Sequence, residues 1–152
     1  MSVHTLYSQL ITTKDVGVLQ NRLTELKQKI YSGSKTLDQY ISEIFINDQR
    51  SLFYNFLSEK QIESLDPVRI EEAIDELLNN ISEISVVTLR VAFFPGREVL
   101  SQVLTIIQEA SKFKTVLDII VLDQIIGGAI FEYNGIEFAE TIEEKIERGV
   151  SQ

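Results

Sequence analysis

Apolar residues in the first half of the chain recur at helical spacing. Leu19, Leu23, Leu26 and Ile30 stand four, three and four residues apart, which draws one stripe along a helix from about Asp15 to Tyr31, and Gly33 with Ser34 stops it. Leu37, Tyr40, Ile41, Ile44 and Phe45 mark a second helix, and Leu52, Phe53, Phe56 and Leu57 a third. Val3, Leu6, Tyr7 and Leu10 suggest a short helix ahead of them all. The best-marked helix opens at Asp66-Pro67, where the aspartate can cap free amides and the proline sits in the first turn, which needs no amide donor. Its core face reads Ile70, Ala73, Ile74, Leu77, Leu78 and Ile81.

After Ser82 the period shortens to 2, with Val87, Leu89, Val91 and Phe93 alternating against Thr88, Arg90 and Ala92, so a strand is predicted over roughly Ile84 to Phe94. Pro95-Gly96 turns the chain into a helix whose buried side is expected to be Val99, Leu100, Val103, Ile106, Ile107 and Ala110. Val116 to Leu122 is apolar at nearly every position, as in a strand covered on both faces. Strand, helix and strand at this length imply a right-handed parallel crossover. Gly127-Gly128 then breaks an apolar run, and Asn134-Gly135 is the preferred pair for a tight turn because both positions take positive φ. A hairpin of Ala129–Tyr133 and Ile136–Phe138 follows from it. Thr141 with Glu144 has capping-box spacing and opens a last helix that ends near Gly149. The expected fold class is α+β, with an all-helical bundle over residues 1–82 and a small α/β domain over 83–152 holding the crossover helix, the hairpin and the terminal helix.

Composition narrows the function classes. A chain of 152 residues with 44% hydrophobic and 24% charged residues can bury a core and is too apolar to be disordered. Its most apolar stretches fall short of the roughly 20 residues that span a bilayer, so no membrane insertion is expected. No basic start followed by an apolar block marks a secretory signal. The absence of cysteine removes disulfides, thiolate metal sites and a cysteine nucleophile. A net charge of −9 repels phosphate backbones, which makes nucleic acid an unsuitable partner and a basic protein surface a suitable one.

Candidate chemistry is sparse. His4 is the single histidine, stands near a terminus and has no identifiable neighbour to orient it as a base. Asp118 interrupts an apolar strand, and the reading that best fits the cost of burying charge is a structural bond to an amide or to an arginine such as Arg90. Phe94-Pro95-Gly96-Arg97 leads into a helix N-terminus, where an anion could sit, but it lacks the spacing of a phosphate loop or a dinucleotide fingerprint. Glycine inside a strand, as at Gly127-Gly128, more commonly marks a bulge or close packing than a phosphate cradle. The charge-rich run from Glu140 to Arg148 reads as the solvated face of a helix whose Ile142, Ile146 and Val150 point inward. Tyr31, Tyr40, Phe45, Phe53, Tyr54 and Phe56 read as core aromatics of a bundle that also leaves a groove for a partner helix. No catalytic set, cofactor site, metal site or small-molecule substrate is expected.

From about Val86 to Gly149 the chain resembles the delta subunit of F-type ATP synthases, the bacterial relative of the mitochondrial oligomycin-sensitivity-conferring protein. The resemblance rests on Val91-Ala92-Phe93, the stripe from Val99 to Ala110, the strand Val116 to Leu122, and Ile125-Ile126-Gly127-Gly128-Ala129-Ile130. It continues through Asn134-Gly135 and the cap at Thr141. Family members carry an aspartate and then a hydroxyl residue before the last helix, where this chain has Ala139-Glu140-Thr141, and their six-helix N-terminal bundle compares with about five helices here. The resemblance implies a non-catalytic stator, peripheral on the cytoplasmic face of the membrane. Such a subunit holds the N-terminal helix of an alpha subunit in its helical domain and the C-terminus of a b-type peripheral stalk subunit in its α/β domain. Chosen by helix face, the groove for the alpha-subunit helix would draw on Leu6, Tyr7, Leu10, Ile70, Ala73, Ile74 and Leu77. Gly127, Gly128, Asn134, Gly135 and Thr141 would be structural.

Three other readings remain. The E subunit of V- or A-type ATPases also ends in an α/β domain with a double glycine, but opens with one long charged helix where Gly33, Asn47-Asp48 and Asp66-Pro67 interrupt this chain. An unaffiliated protein-binding adaptor domain is another. An enzyme using Asp118 and Arg97 at the edge of the crossover is the third, and it predicts a concave polar pocket at that edge.

Overall fold

The structure, a computed structural model, describes residues 6–62, 66–122, 124, 129–133 and 136–140. The fold is α+β. The chain divides into two compact units, one formed by Met1–Leu10 with Lys14–Glu83 and the other by Ile11–Thr13 with Ile84–Gln152.

The first unit carries α1 (Thr13–Lys29, apart from its first residue), α2 (Leu37–Ile44), α3 (Asp48–Glu59) and α4 (Pro67–Ser82). Each buries most of the stripe its period marks: Leu19, Leu23 and Leu26 on α1, Tyr40, Ile41 and Ile44 on α2, Phe53, Phe56 and Leu57 on α3, and Ile70, Ala73, Ile74, Leu77 and Ile81 on α4, while Leu37, Leu52 and Leu78 are half-buried. Gly33, at φ 72°, supplies the left-handed residue in the turn between α1 and α2. Thr36 opens α2 with a reciprocal capping box, accepting from the Gln39 amide at 3.2 Å while its own amide donates to Gln39 Oε1 at 2.9 Å. The Arg50 guanidinium closes the other end, donating to the carbonyls of Ser42 at 2.6 Å and Phe45 at 3.1 Å, which the last turn of α2 leaves without helical partners. Phe45 stacks on Phe53 at 4.6 Å between ring centroids, and Phe56 lies 6.4 Å from Phe53. Two of the aromatics expected in this core are elsewhere. Tyr31 is on the surface with its hydroxyl donating to Glu71 at 2.7 Å, and Tyr54, half-buried, reaches Asp38, so each hydroxyl stays where a surface carboxylate bonds it.

Asp66 caps α4 as its position suggests, accepting from the Val68 amide at 3.0 Å with Pro67 in the first turn. Asp66→Ala is expected to lower stability by about 1 kcal/mol, and chemical denaturation of the pair of proteins measures it. Ahead of α1, Leu6 and Tyr7 are helical, and the Leu10 amide bonds to the Tyr7 carbonyl at 2.9 Å.

The second unit is built on β1 (Ser85–Val91), α5 (Arg97–Ser111), β2 (Thr115–Val121), β3 (Ala129–Tyr133) and β4 (Ile136–Glu140). The four strands form one sheet in the order β2-β1-β3-β4, with β2 parallel to β1 and the β3–β4 hairpin antiparallel to it. Val87, Leu89 and Val91 alternate inward from β1 and form a core with Leu100 and Leu104 of α5, Leu117 of β2 and Ile11. Arg90 pairs with Glu132 on β3 at 2.7 Å. The β1 strand ends at Val91 rather than running to Phe94, and Phe93 and Phe94 are exposed in the turn.

Two expectations about this unit are corrected. β2 is not covered along its whole length: Thr115, Val116 and Leu117 are buried, but Ile120 is 37% and Val121 44% exposed. The reason is its place at the edge of the sheet among the described strands, which an apolar run alone does not distinguish from a central place. The second correction concerns α5 and bears directly on the candidate site.

Candidate functional site

Seven apolar side chains on α5 exceed what one sheet-facing stripe can hold. At 100° per residue, Leu100 and Leu104 share one line, Ile107 and then Val103 lie to one side of it, and Val99, Ile106 and Ala110 lie about a third of a turn round the helix. The core takes the first line. Leu100 and Leu104 are buried, Val103 and Ile107 are half-buried against them, and Ala110 is exposed. Val99 is 50% exposed and Ile106 67%, so both are outside the core where the expected buried face had placed them. Leu104, which that face omitted, is inside it. Just past the helix, Phe113 is 66% exposed. Val99, Val103, Ile106 and Ala110 thus fall at steps of four, three and four residues, the spacing of a seam that meets another helix, and Phe113 follows the left-handed Lys112 that ends α5. The polar positions bordering it are Gln102 and Glu109.

The residues singled out for chemistry do not converge. Asp118 is half-buried and accepts a bond from the Thr13 hydroxyl at 3.5 Å, a partner with no signal in the local sequence because 105 positions separate them. The ion pair of Arg90 described above is with Glu132, diagonal to it across the sheet. Arg97 and Gly96 are exposed, and a Cβ built on Gly96 would meet nothing within 4 Å, so this turn is no backbone cradle. A pocket of about 240 Å³ lies in the first unit, lined by Gln9, Arg22, Ile46, Asn47, Asp48 and Gln49, with Arg22 donating to Gln49. Among the described residues no cluster of three His, Asp or Glu side chains is placed to hold a metal ion, and no described helix is long and apolar enough to cross a membrane. His4, Gly127, Gly128, Asn134, Gly135, Thr141 and the expected terminal helix lie outside the described residues.

Leu6, Tyr7, Leu10, Ile70, Ala73, Ile74 and Leu77 are all brought together in the first unit, and all are buried. The Tyr7 hydroxyl donates to the Leu77 carbonyl at 3.4 Å, tying the N-terminal turn to α4. Burial pushes the Tyr7 phenol up to about 12, with the negative charge of Glu76 adding to the rise and a hydrogen bond with Asn80 opposing it. A folded value above the ordinary 10.0 means that the neutral phenol's contribution to stability is complete below about pH 10 and is lost as pH climbs toward about 12. Tyr7→Phe is therefore expected to flatten the alkaline loss of stability over that window, and urea unfolding of both proteins at about pH 9 and about pH 11 reads it.

No family model matches the chain, and no curated protein matches it. Among solved structures, the cryo-electron microscopy structure of the Toxoplasma gondii mitochondrial ATP synthase hexamer contains a chain with a TM-score of 0.37 and 11% identity, covering 91% of this chain and 83% of that one. A likeness this loose assigns neither a subunit identity nor a role.

Proposed function

We propose that the chain is a non-catalytic stator subunit of an F-type ATP synthase, linking the catalytic head to the peripheral stalk while ATP is made at the expense of a proton gradient. The observation that carries the reading is the outward apolar seam of α5. A stator subunit resists torque by holding other subunits and transforms no substrate, so its working parts are protein-binding faces. An exposed line of Val99, Ile106 and Ala110 at helical spacing is such a face. In this reading the seam takes the C-terminal helix of a b-type stalk subunit, and the first unit takes the N-terminal helix of an alpha subunit. The seven buried residues Leu6, Tyr7, Leu10, Ile70, Ala73, Ile74 and Leu77 then act as the packed layer beneath that second contact. The subunit sits peripherally on the cytoplasmic face of the membrane through these partners. The order β1, α5, β2 and hairpin supports the resemblance on which the subunit assignment depends.

The E-subunit alternative is disfavoured by α1 to α4, the longest of which has 17 residues, since that family opens on one long helix.

Titration calorimetry of the full chain with the C-terminal segment of the b-type subunit from the same genome tests the proposal. Saturable binding is expected, weakened at least about 100-fold by Ile106→Asp at the centre of the seam. Circular dichroism of that variant should match the original, because Ile106 is exposed. A folded protein that binds neither this segment nor the alpha-subunit helix would overturn the stator reading.

A further inference from the structure

The edge of the second unit's sheet holds three residues from the opposite end of the chain. Thr12 forms an isolated parallel bridge with Leu117, and the Leu117 amide donates to the Ile11 carbonyl at 2.8 Å. The Ile11 side chain is buried in the core with Val87, Leu89, Leu100, Leu104 and Leu117. The Thr13 hydroxyl reaches Asp118. Backbone bond, apolar anchor and polar side-chain bond together make the contact that an added strand makes on an open sheet edge.

The added piece is short, and the edge is longer than the piece. Backbone groups of β2 alternate in direction: the Leu122 amide bonds to Val91 of β1, and the Leu117 amide points the other way to Ile11. The outward positions of β2 are therefore Thr115, Leu117, Ile119 and Val121. Ile11–Thr13 engages Leu117, and at Thr13 the chain turns into α1. Beyond it the edge continues past Ile119 to Ile120 and Val121, both exposed and neither charged.

We propose that the outer edge of β2 is a strand-addition site on the second unit and that Ile11–Thr13 is its built-in occupant, a strap replaceable by an extended β-branched segment of a partner protein. Such a segment places an aliphatic side chain where Ile11 sits and continues in parallel register past Ile119 and Val121. A longer segment gains backbone bonds that the strap cannot form, because the strap's next residues are committed to a helix. The chain's net charge of −9 favours a segment with basic ends. The site stands apart from the seam of α5, and its failure leaves that reading untouched.

Residue-resolved amide exchange of the full chain tests it, with the peptide acetyl-Lys-Ile-Thr-Val-Thr-Val-Thr-Lys-amide at millimolar concentration as probe. In the original protein the Leu117 amide should be protected like those of Val116 and Asp118. In Ile11→Asp, Leu117 should exchange roughly tenfold faster or more, with Val116 and Asp118 keeping their protection through β1. The peptide should restore Leu117 and slow Ile119 and Val121 by roughly tenfold, at lower concentration in the variant than in the original. If Ile11→Asp does not fold, Ile11→Ala gives the same readings. Three results would each overturn the proposal. One is a Leu117 amide in the original that exchanges like an exposed one. Another is a peptide that leaves Ile119 and Val121 unchanged in both proteins. The last is protection of these two amides that appears without peptide and grows with protein concentration, which would give the edge to a second copy of the chain.

Discussion

Leu77→Asp is expected to unfold the helical unit, with a loss of at least about 4 kcal/mol. Leu77 is fully buried on α4, and its carbonyl accepts from Tyr7. Truncating a buried leucine to alanine already costs about 2–5 kcal/mol, and the carboxylate adds the cost of removing a charge from water with no partner in place. Against a total stability of about 5–15 kcal/mol for a typical protein, that leaves little or nothing. Far-ultraviolet circular dichroism at neutral pH should show the helical signal reduced. The sign of the pH dependence identifies the cause. Burial raises the folded-state value of the new aspartate above its ordinary value, so the penalty shrinks as pH falls and is gone only below about 4, where the group is neutral in both states. A variant with the original helical signal and no pH-dependent deficit would mean that α4 presents this position to solvent. For the same reason Leu77→Asp does not report on partner binding, whereas Ile106→Asp does.

Phe53→Ala should cost about 3–5 kcal/mol, measured by urea unfolding of the two proteins. Phe53 is fully buried and touches two other rings, stacked on Phe45 and tilted 34° to Phe56. Its removal loses the transfer energy of the ring, leaves a cavity between α2 and α3 side chains, and breaks aromatic pairs worth about 0.5–1.5 kcal/mol each. Phe93→Ala is the matched control. That ring is 71% exposed in the turn before α5, and the expected change is within about 0.5 kcal/mol. Equal losses from the two substitutions would contradict the packing described.

The helices of the first unit were legible because each carries one stripe against one core, and Asp66-Pro67 states its own cap. The crossover and the hairpin were legible because period 2 and period 3.6 replace each other cleanly after Ser82. What failed did so where periodicity is ambiguous or silent. On α5, apolar residues occupy two adjacent lines, and period alone does not say which line meets the sheet; the structure buries Leu104 there and leaves Ile106 outside. On β2, an apolar run reads as a central strand, although only the order β2-β1-β3-β4 decides where its neighbours are. The seven residues named for a partner groove rest on helix face alone, which does not tell a groove from a core, and in the structure all seven are buried. Ile11–Thr13 had no signal at all, since a three-residue bridge has no period and its partners are about a hundred positions away.

That distance has a consequence for how the chain is made. Helices α1 to α4 close through neighbours in sequence and can form as they leave the ribosome. Ile11 cannot, because Leu117 has not yet been synthesised. With 105 residues between Thr13 and Asp118, translation at roughly 5–20 residues per second leaves the N-terminal aliphatic segment waiting roughly 5–20 s for its sheet. Ile11–Thr13 emerges long before it is covered, so in the cell a nascent-chain chaperone would meet Ile11 before β2 does.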